Sequence, residues 1–510
     1  MMARLSRRSV LKLLLSLPFI DAALVAANQI DKPISDPRVP NFLIIVFDAL
    51  SAAHLPLHGY PRSTMPHLSA FADQATVFHA HRSAGSFTTP GTASMLTGAY
   101  PWSHRALHIQ GTVSQGFADR SLFRLLQLRG YHTMAYTHNL VTSSLLYQFA
   151  DAIEQLSPIR EVALADLNLA EHVVPRDLTV AAHSEGVLTR RGDAPSSSLF
   201  LYHLTELWNR FALQEPHQRY TDDYPRGLPG GHNLFFLLET AIDWTMQQLT
   251  SMPEPFAAYL HYLPPHDPYN PRREFVGLFD DDWHPPRKPL HPLGDAHPRE
   301  FLDGLRRQYD EHIAYVDSEF GRLAEFLRSS GLSDTTYVFV TSDHGELFER
   351  GIWQHITPVL YEPVIKVPLV VGVPGQRERV DIRVPTSGVD LMPTILQLAG
   401  ATQPAWCEGQ VLPVSGNLEP PADRDIFSMD AKSSSKDGPL HRRTVALIKD
   451  NHKLVHFAGY DGYDDVYEMY DLEHDPEEMN DIYSSRVETA SELTGILRAK
   501  WAEVAAQEAQ

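Results

Sequence analysis

A run of small hydroxyl residues, Ser86-Phe87-Thr88-Thr89-Pro90-Gly91-Thr92, leads directly into Ala93-Ser94-Met95-Leu96-Thr97-Gly98. The pattern delivers a hydroxyl to a helix start: Pro near the first helical position gives up only an orphan donor, and Gly98 stops the helix. Unpaired amides and the positive end of the helix dipole then face an anion. Carboxylates and imidazoles recur at strand ends. Asp48 closes the apolar run at 41–47, and Thr341-Ser342-Asp343-His344-Gly345-Glu346 closes a second run at 336–340. Adjacent Asp and His at a strand's carboxyl end can ligate one cation if the backbone turns sharply there, which Gly345 permits. Oxygen plus imidazole donors suit Zn, Mn or, less comfortably, Ca. Further imidazoles stand in the Pro-rich segment His261-Tyr262-Leu263-Pro264-Pro265-His266-Asp267-Pro268-Tyr269 and at His355.

These residues need a sheet to hold them. The runs at 41–47 and 336–340 have the length and β-branching of buried parallel strands, and a carboxylate at such a strand's end sits where open α/β sheets bind ligands. Helix and strand patterns alternate: 65–78, 119–130 then 131–136, 233–252 then 256–262. The clearest helix spans 301–330, where Leu302, Leu305, Tyr309, Ile313, Val316, Phe320, Leu323 and Leu327 recur every three or four residues and Gly331 ends it; these read as core. A strand at 367–371 and a short helix at 389–400 follow. Beyond the Pro/Gly-rich passage 404–421, strands at 444–449 and 452–457 form a hairpin turning on Asp450-Asn451, with a further strand at 467–472 and a final amphipathic helix at 487–506. The expected organisation is an export signal over 1–27, a leader over 28–40, a catalytic α/β domain over 41–424 and a C-terminal α+β subdomain over 425–510. Within the catalytic domain, about 142–231 reads as an insertion and 263–298 as a stiff Pro-rich active-site loop.

Composition narrows the partners. A chain of 510 residues with net charge −20 lacks the basic balance of a nucleic-acid binder. Its 26 His point to metal or proton-transfer work, and the single Cys407 allows neither an intrachain disulfide nor a thiolate metal site. Arg4, Arg7 and Arg8 precede an apolar run that Lys12 and Asp21 interrupt, with small residues Val25-Ala26-Ala27 at a cleavage position. Ser6-Arg7-Arg8-Ser9-Val10-Leu11-Lys12 resembles a twin-arginine signal, so the expected location is the bacterial periplasm or beyond, with no stable membrane span after signal removal.

The order strand-Asp48, hydroxyl-x-Pro at a helix start closing on Leu96-Thr97-Gly98, His266 after a Pro pair, Thr341-Ser342-Asp343-His344-Gly345, Tyr361-Glu362 and Val367-Pro368-Leu369 resembles the sulfatase branch of the alkaline phosphatase superfamily. Val389-Asp390-Leu391-Met392-Pro393-Thr394 and Tyr470-Asp471-Leu472-Glu473-His474-Asp475-Pro476 extend the likeness across nearly the whole mature chain. The resemblance implies an alkaline-phosphatase-like α/β fold, a mostly parallel sheet flanked by helices, with a small C-terminal antiparallel sheet. It implies Asp48, Thr88, Asp343 and His344 around one divalent metal ion (Ca, Zn or Mn), Thr88 as nucleophile, and His266 and His355 contacting substrate oxygens or protonating the leaving group. Tyr269 and Tyr361 are the candidates for binding substrate.

Two features depart from that branch. Its members carry Cys or Ser before x-Pro-Ser-Arg and oxidise that residue to formylglycine, whereas this chain has Thr88-Thr89-Pro90-Gly91-Thr92. The second acid of the metal site is Ala49, and a position often held by Asn is His344. The expectation is therefore hydrolysis of, or transfer from, phosphate esters through a covalent Thr88 intermediate, on a small-molecule, glycan or lipid-headgroup ester. Sulfuric ester hydrolysis without formylglycine is the alternative, and an inactive anion- or glycan-binding relative the third.

Overall fold

The computed structural model describes residues 39–165, 204, 207–208, 210–231, 234–414 and 424–508. The expected export signal, most of the leader and much of the insertion lie outside the described residues. Eight strands form the main sheet: β1 (Asn41–Phe47), β2 (Thr76–Phe78), β3 (His132–Thr137), β4 (Gln155–Leu156), β5 (Phe256–Tyr262), β6 (Thr336–Thr341), β7 (Leu369–Gly372) and β8 (Val380–Ile382). They run in the order β8-β2-β7-β6-β1-β5-β3-β4. Every pairing is parallel except those of β7 with β6 and β2.

The central position of β1 follows from its composition. Leu43, Ile45 and Phe47 point into one core with Tyr309, Ile313, Val316 and Phe320 of the long helix α4 (Arg299–Ser329), while Phe42, Ile44 and Val46 point into the other with Ala93, Met95 and Leu96 of helix α1 (Thr88–Thr97). Alternate side chains of a strand face opposite ways, so only an apolar run can be buried on both sides. Each such side chain contributes about 1.5–3 kcal/mol on burial. The helices that matter to the site are α1 (Thr88–Thr97), α2 (Leu140–Gln148), α3 (Leu238–Ser251), α4 (Arg299–Ser329), α5 (Leu391–Leu398) and α6 (Val487–Glu508).

A second sheet is antiparallel and consecutive: β9 (Ile426–Asp430), β10 (Arg443–Lys449), β11 (His452–Ala458) and β12 (Val466–Asp471). Asp450 and Asn451 turn its hairpin with φ of 45° and 61°, the left-handed pair that a tight two-residue connection needs. This sheet is fastened to the nucleophile loop. Met429 N–H donates to Ala84 O at 2.9 Å and Ser428 Oγ to Ser83 O at 2.6 Å. Among the described residues no helix is long and apolar enough to cross a membrane.

Glu468, on β12, ties the second sheet to the main domain. Its carboxylate accepts from the hydroxyls of Tyr361 (3.0 Å), Tyr463 (2.7 Å) and Tyr470 (2.9 Å), with His291 Nε2 3.4 Å away. Burial opposes its charge, but His291 and the tyrosine hydroxyls hold it down to about 2. A depressed carboxyl stabilises the fold above its ordinary value of 4.5 and loses that contribution as pH falls toward 2. Glu468→Gln is expected to cost about 3 kcal/mol at neutral pH and to flatten the acid limb of stability, read by denaturant melts between those two pH values.

Candidate active site

Three neighbouring strands of the main sheet bring their carboxyl ends together. Asp48 follows β1, Asp343 and His344 follow β6, and His261 lies on β5 opposite Val46. All four are fully buried. His261 Nε2 is 3.1 Å from Asp48 Oδ2 and 3.8 Å from Asp343 Oδ2. His344 Nε2 is 3.3 Å from Asp48 Oδ1, 3.6 Å from Asp343 Oδ2 and 3.3 Å from Thr88 Oγ1. The expected set Asp48, Thr88, Asp343 and His344 is thus gathered in one place, and His261 joins it.

Outer contacts aim these groups. His344 Nδ1 is 2.9 Å from Gly345 O, so an Nδ1–H donated there turns the Nε2 lone pair toward the carboxylates. His261 Nδ1 meets Tyr259 OH at 2.9 Å. Asn139 caps α2, accepting from Val141 N at 2.7 Å, and donates its amide to Asp48 Oδ2. Asp48 Oδ1 and Asp343 Oδ2 nevertheless have no hydrogen-bond partner. Carboxylate and imidazole atoms of Asp48, His261 and Asp343 lie within 4.8 Å of one another.

The electrostatics are compatible with a bound cation. Burial opposes the charge on Asp48, yet the neighbouring imidazoles of His261 and His344 hold it well below the usual carboxylate range. Burial and then the Asp48 charge push Asp343 up. Burial disfavours charge on His344 too, but Asp343 and Asp48 raise it to about 9. Two carboxylates with orphaned oxygens and two imidazoles form a donor set that fits a divalent metal ion.

Close backbone packing sets the nucleophile's place. A Cβ on Gly91 would fall 2.1 Å from Asp343 O, so helix α1 abuts the Asp343 turn only because residue 91 is glycine. Gly345 acts in the same way, not through a left-handed turn: its Cβ would fall 2.1 Å from Pro363 O. Ala49, where the resemblance puts a second acid, adopts φ 60° and has only a methyl to offer.

Thr88 lines a cavity of about 370 Å³ with Ile109, Leu140, Val141, Leu263, His266, His355, Ile356 and Lys432. The His266 and His355 rings lie 5.1 Å apart, and His355 is 4.1 Å from His344. His266 sits on Asp267, with Nδ1 3.0 Å from Oδ1; burial works against its charge, but Asp267, Asp48 and Glu346 raise it well above the ordinary value. Burial and then the charges of His344 and His266 keep His355 neutral, well below its ordinary value. Its Nδ1 is 3.1 Å from Glu346 Oε1. Burial pushes Glu346 up to about 8.

The two tyrosines expected at the substrate lie elsewhere. Tyr269 packs behind the cavity, donating to Glu346 Oε2 at 3.3 Å and receiving Trp353 Nε1 at 3.4 Å, so it braces the His355 partner. Tyr361 points to the second sheet, with its hydroxyl on Glu468 and the Arg350 guanidinium 4.1 Å over its ring. The acidic interior of that sheet outcompetes the cavity for its hydroxyl. Glu346, Asn139 and His261 have no role in the sequence reading. The available signal for His261 is a lone imidazole near the carboxyl end of an apolar strand, which acquires meaning only once β5 pairs with β1.

A mostly parallel sheet whose central strands deliver buried Asp and His beside a helix-start hydroxyl defines a hydrolase of the alkaline-phosphatase type. The sulfatase family model matches residues 40–155 and 201–401, and the model for the C-terminal region of N-sulphoglucosamine sulphohydrolase matches 352–507. The chain belongs to the sulfatase family and is a sulfatase-like hydrolase. It is 24% identical over 470 residues to the choline-sulfatase of Rhizobium meliloti (strain 1021), covering 87% of this chain and 82% of the relative. It is 24% identical over 503 residues to the multifunctional alkaline phosphatase superfamily protein PehA of Trinickia caryophylli, covering 87% and 91%. The phosphonate monoester hydrolase of Agrobacterium radiobacter shares the fold with a TM-score of 0.63 at 19% identity, covering 92% of this chain and 96% of that one.

Proposed function

We propose that this chain is an exported, metal-dependent hydrolase that cleaves phosphate esters through Thr88. The observation that carries the reading is the Thr88 hydroxyl, 3.3 Å from His344 Nε2 and beside the orphaned oxygens of Asp48 and Asp343, at the position where sulfatases of the resembled branch hold formylglycine. A formylglycine hydrate expels sulfate by collapsing to an aldehyde, an exit that threonine lacks. A phosphorylated threonine has another exit, a second in-line attack at phosphorus.

Asp48, Asp343 and His344, with His261, would hold the metal. Two carboxylates and two imidazoles favour Zn²⁺ or Mn²⁺ over Ca²⁺, which takes oxygen ligands. When bound, a divalent cation lowers the pKa of a ligating hydroxyl and neutralises charge on the transferring group. Thr88 Oγ, its hydroxyl proton released to solvent, attacks phosphorus as the ester P–O bond breaks, and protonated His266 gives its proton to the departing alkoxide. Water then attacks the phosphoryl-Thr88; neutral His355, oriented through Nδ1 by Glu346, takes the water proton, Thr88 Oγ leaves as the alkoxide, and exchange with solvent unloads His355 and reprotonates His266. The alcohol half of the ester faces Ile109, Leu140, Val141, Leu263 and Ile356, which supports an apolar leaving group over a sugar. Export rests on the Arg7-Arg8 leader.

The second reading keeps a sulfate ester, as the name of the choline-sulfatase relative suggests. Metal-reconstituted protein assayed in parallel on an aryl phosphate, a phosphodiester and an aryl sulfate separates the two. A kcat/KM about a hundredfold or more higher on phosphate than on sulfate is expected. Faster sulfate turnover overturns the phosphate assignment.

A further inference from the structure

One charged group in the cavity comes from the second sheet. Lys432, two residues past the end of β9, lines the same cavity as Thr88, His266 and His355. Among the described residues lining it, Lys432 is the only lysine or arginine. Its ammonium lies 2.9 Å from Asp430 Oδ2 and 5.5 Å from the ring centre of Phe87, the residue before Thr88. Asp430 is 1% exposed, and the same Oδ2 accepts from Ser86 Oγ at 2.7 Å. A lysine fixed by one of its three donors keeps the others for a ligand. With a side chain 16% exposed, Lys432 is held from behind yet open toward the cavity.

The site has need of such a charge. Phosphate and sulfate esters carry negative oxygens that the leaving-group acid and the nucleophile do not satisfy, and a charge-assisted hydrogen bond to one of them holds the ester in place. The position that carries Arg in the resembled branch is Thr92, fully buried with its hydroxyl unpartnered. Lys432 also contributes to the positive potential at His355, although burial and the neighbouring imidazoles act more strongly there.

We propose that Lys432 is a substrate-binding residue: its ammonium holds an anionic oxygen of the ester, so the active site is completed by the C-terminal subdomain. This rests on the cavity being the ester-hydrolysing site. Asp430 is ion-paired by Lys432, so Lys432→Met is paired with Asp430→Asn/Lys432→Met, which removes both charges, and with Lys432→Arg. The readouts are KM and kcat on an aryl phosphate, and inorganic phosphate binding to metal-loaded Thr88→Ala protein by calorimetry.

Losing a charged hydrogen bond raises KM and weakens phosphate binding by about tenfold or more in both Met variants, with kcat within about threefold and substantial recovery in Lys432→Arg. Hydrolysis with KM and phosphate affinity within about twofold of wild type in both Met variants overturns the Lys432 assignment and leaves the esterase reading standing. Phosphate binding that depends on Lys432 in a protein that turns over no ester overturns the esterase reading and leaves the Lys432 assignment standing.

Discussion

Thr88→Ala lowers kcat/KM on the best phosphate ester by about a thousandfold or more, the scale on which loss of a covalent nucleophile is felt. Thr88→Ser keeps the hydroxyl at the helix start and retains activity within about tenfold. Stability moves little, because the substitution removes one small buried hydroxyl whose contact is the 3.3 Å approach to His344 Nε2. The nearby hydroxyls cannot substitute for it. Ser86 is committed to Asp430, and Thr89 and Thr92 are buried and absent from the cavity lining. Steady-state kinetics on the three proteins, each loaded with the same metal, check this. Full activity in Thr88→Ala contradicts a nucleophilic Thr88 whichever ester is the substrate.

Removing the metal has the second large effect, and it is visible without any substrate. Asp343 Oδ2 lies near Asp48 with no hydrogen-bond partner, and the neighbouring charge with burial pushes the Asp343 carboxyl up. A cation bound only by the folded state adds stability as RT ln(1 + [M]/Kd), about 2.7 kcal/mol at a hundred times Kd. Zn²⁺ or Mn²⁺ added to chelator-stripped protein therefore raises the melting temperature by several degrees and restores activity, and Ca²⁺ does so less. In Asp343→Asn the Oδ1 acceptor for Ala49 N (3.3 Å) and His344 N (3.1 Å) is kept while the second negative oxygen is lost. The stripped variant melts no lower than stripped wild type, since a like-charge repulsion has gone. Its response to added cation disappears, and activity falls by about a thousandfold or more. A variant that keeps the cation-induced shift removes Asp343 from the metal site.

Much of this was legible from patterns of types and spacing. The runs at 41–47 and 256–262 match β1 and β5 residue for residue, because a strand buried on both faces is apolar over most of its length. The long helix shows its 3.6-residue period over more than twenty residues and is found at Arg299–Ser329. Strands β8 and β9 escape such reading because both are short. Val380–Ile382 is a three-residue exposed edge whose Val-Asp-Ile alternation has no length to register, and Ile426–Asp430 does not stand out beside a Pro-rich passage. The direction of β7, antiparallel between β6 and β2, is a property of pairing and has no local signal.

The site divides in the same way. Asp48, Asp343 and His344 announce themselves by standing at the ends of recognisable strands. His261, Asn139, Glu346 and Lys432 depend on which strands are neighbours and on which loop folds over which. Tyr361 shows the converse: it stands in the sequence among the candidates for binding substrate, but Glu468, more than a hundred residues away, takes its hydroxyl.

The most direct test of Thr88 chemistry is to quench metal-loaded enzyme with acid during turnover of an aryl phosphate and to locate the added group by peptide mass spectrometry. One phosphoryl group on the peptide containing Thr88, absent from Thr88→Ala, is the predicted result. Sustained phosphate-ester turnover with no phosphoryl-Thr88 at any quench time, or a covalent group on another residue, contradicts it.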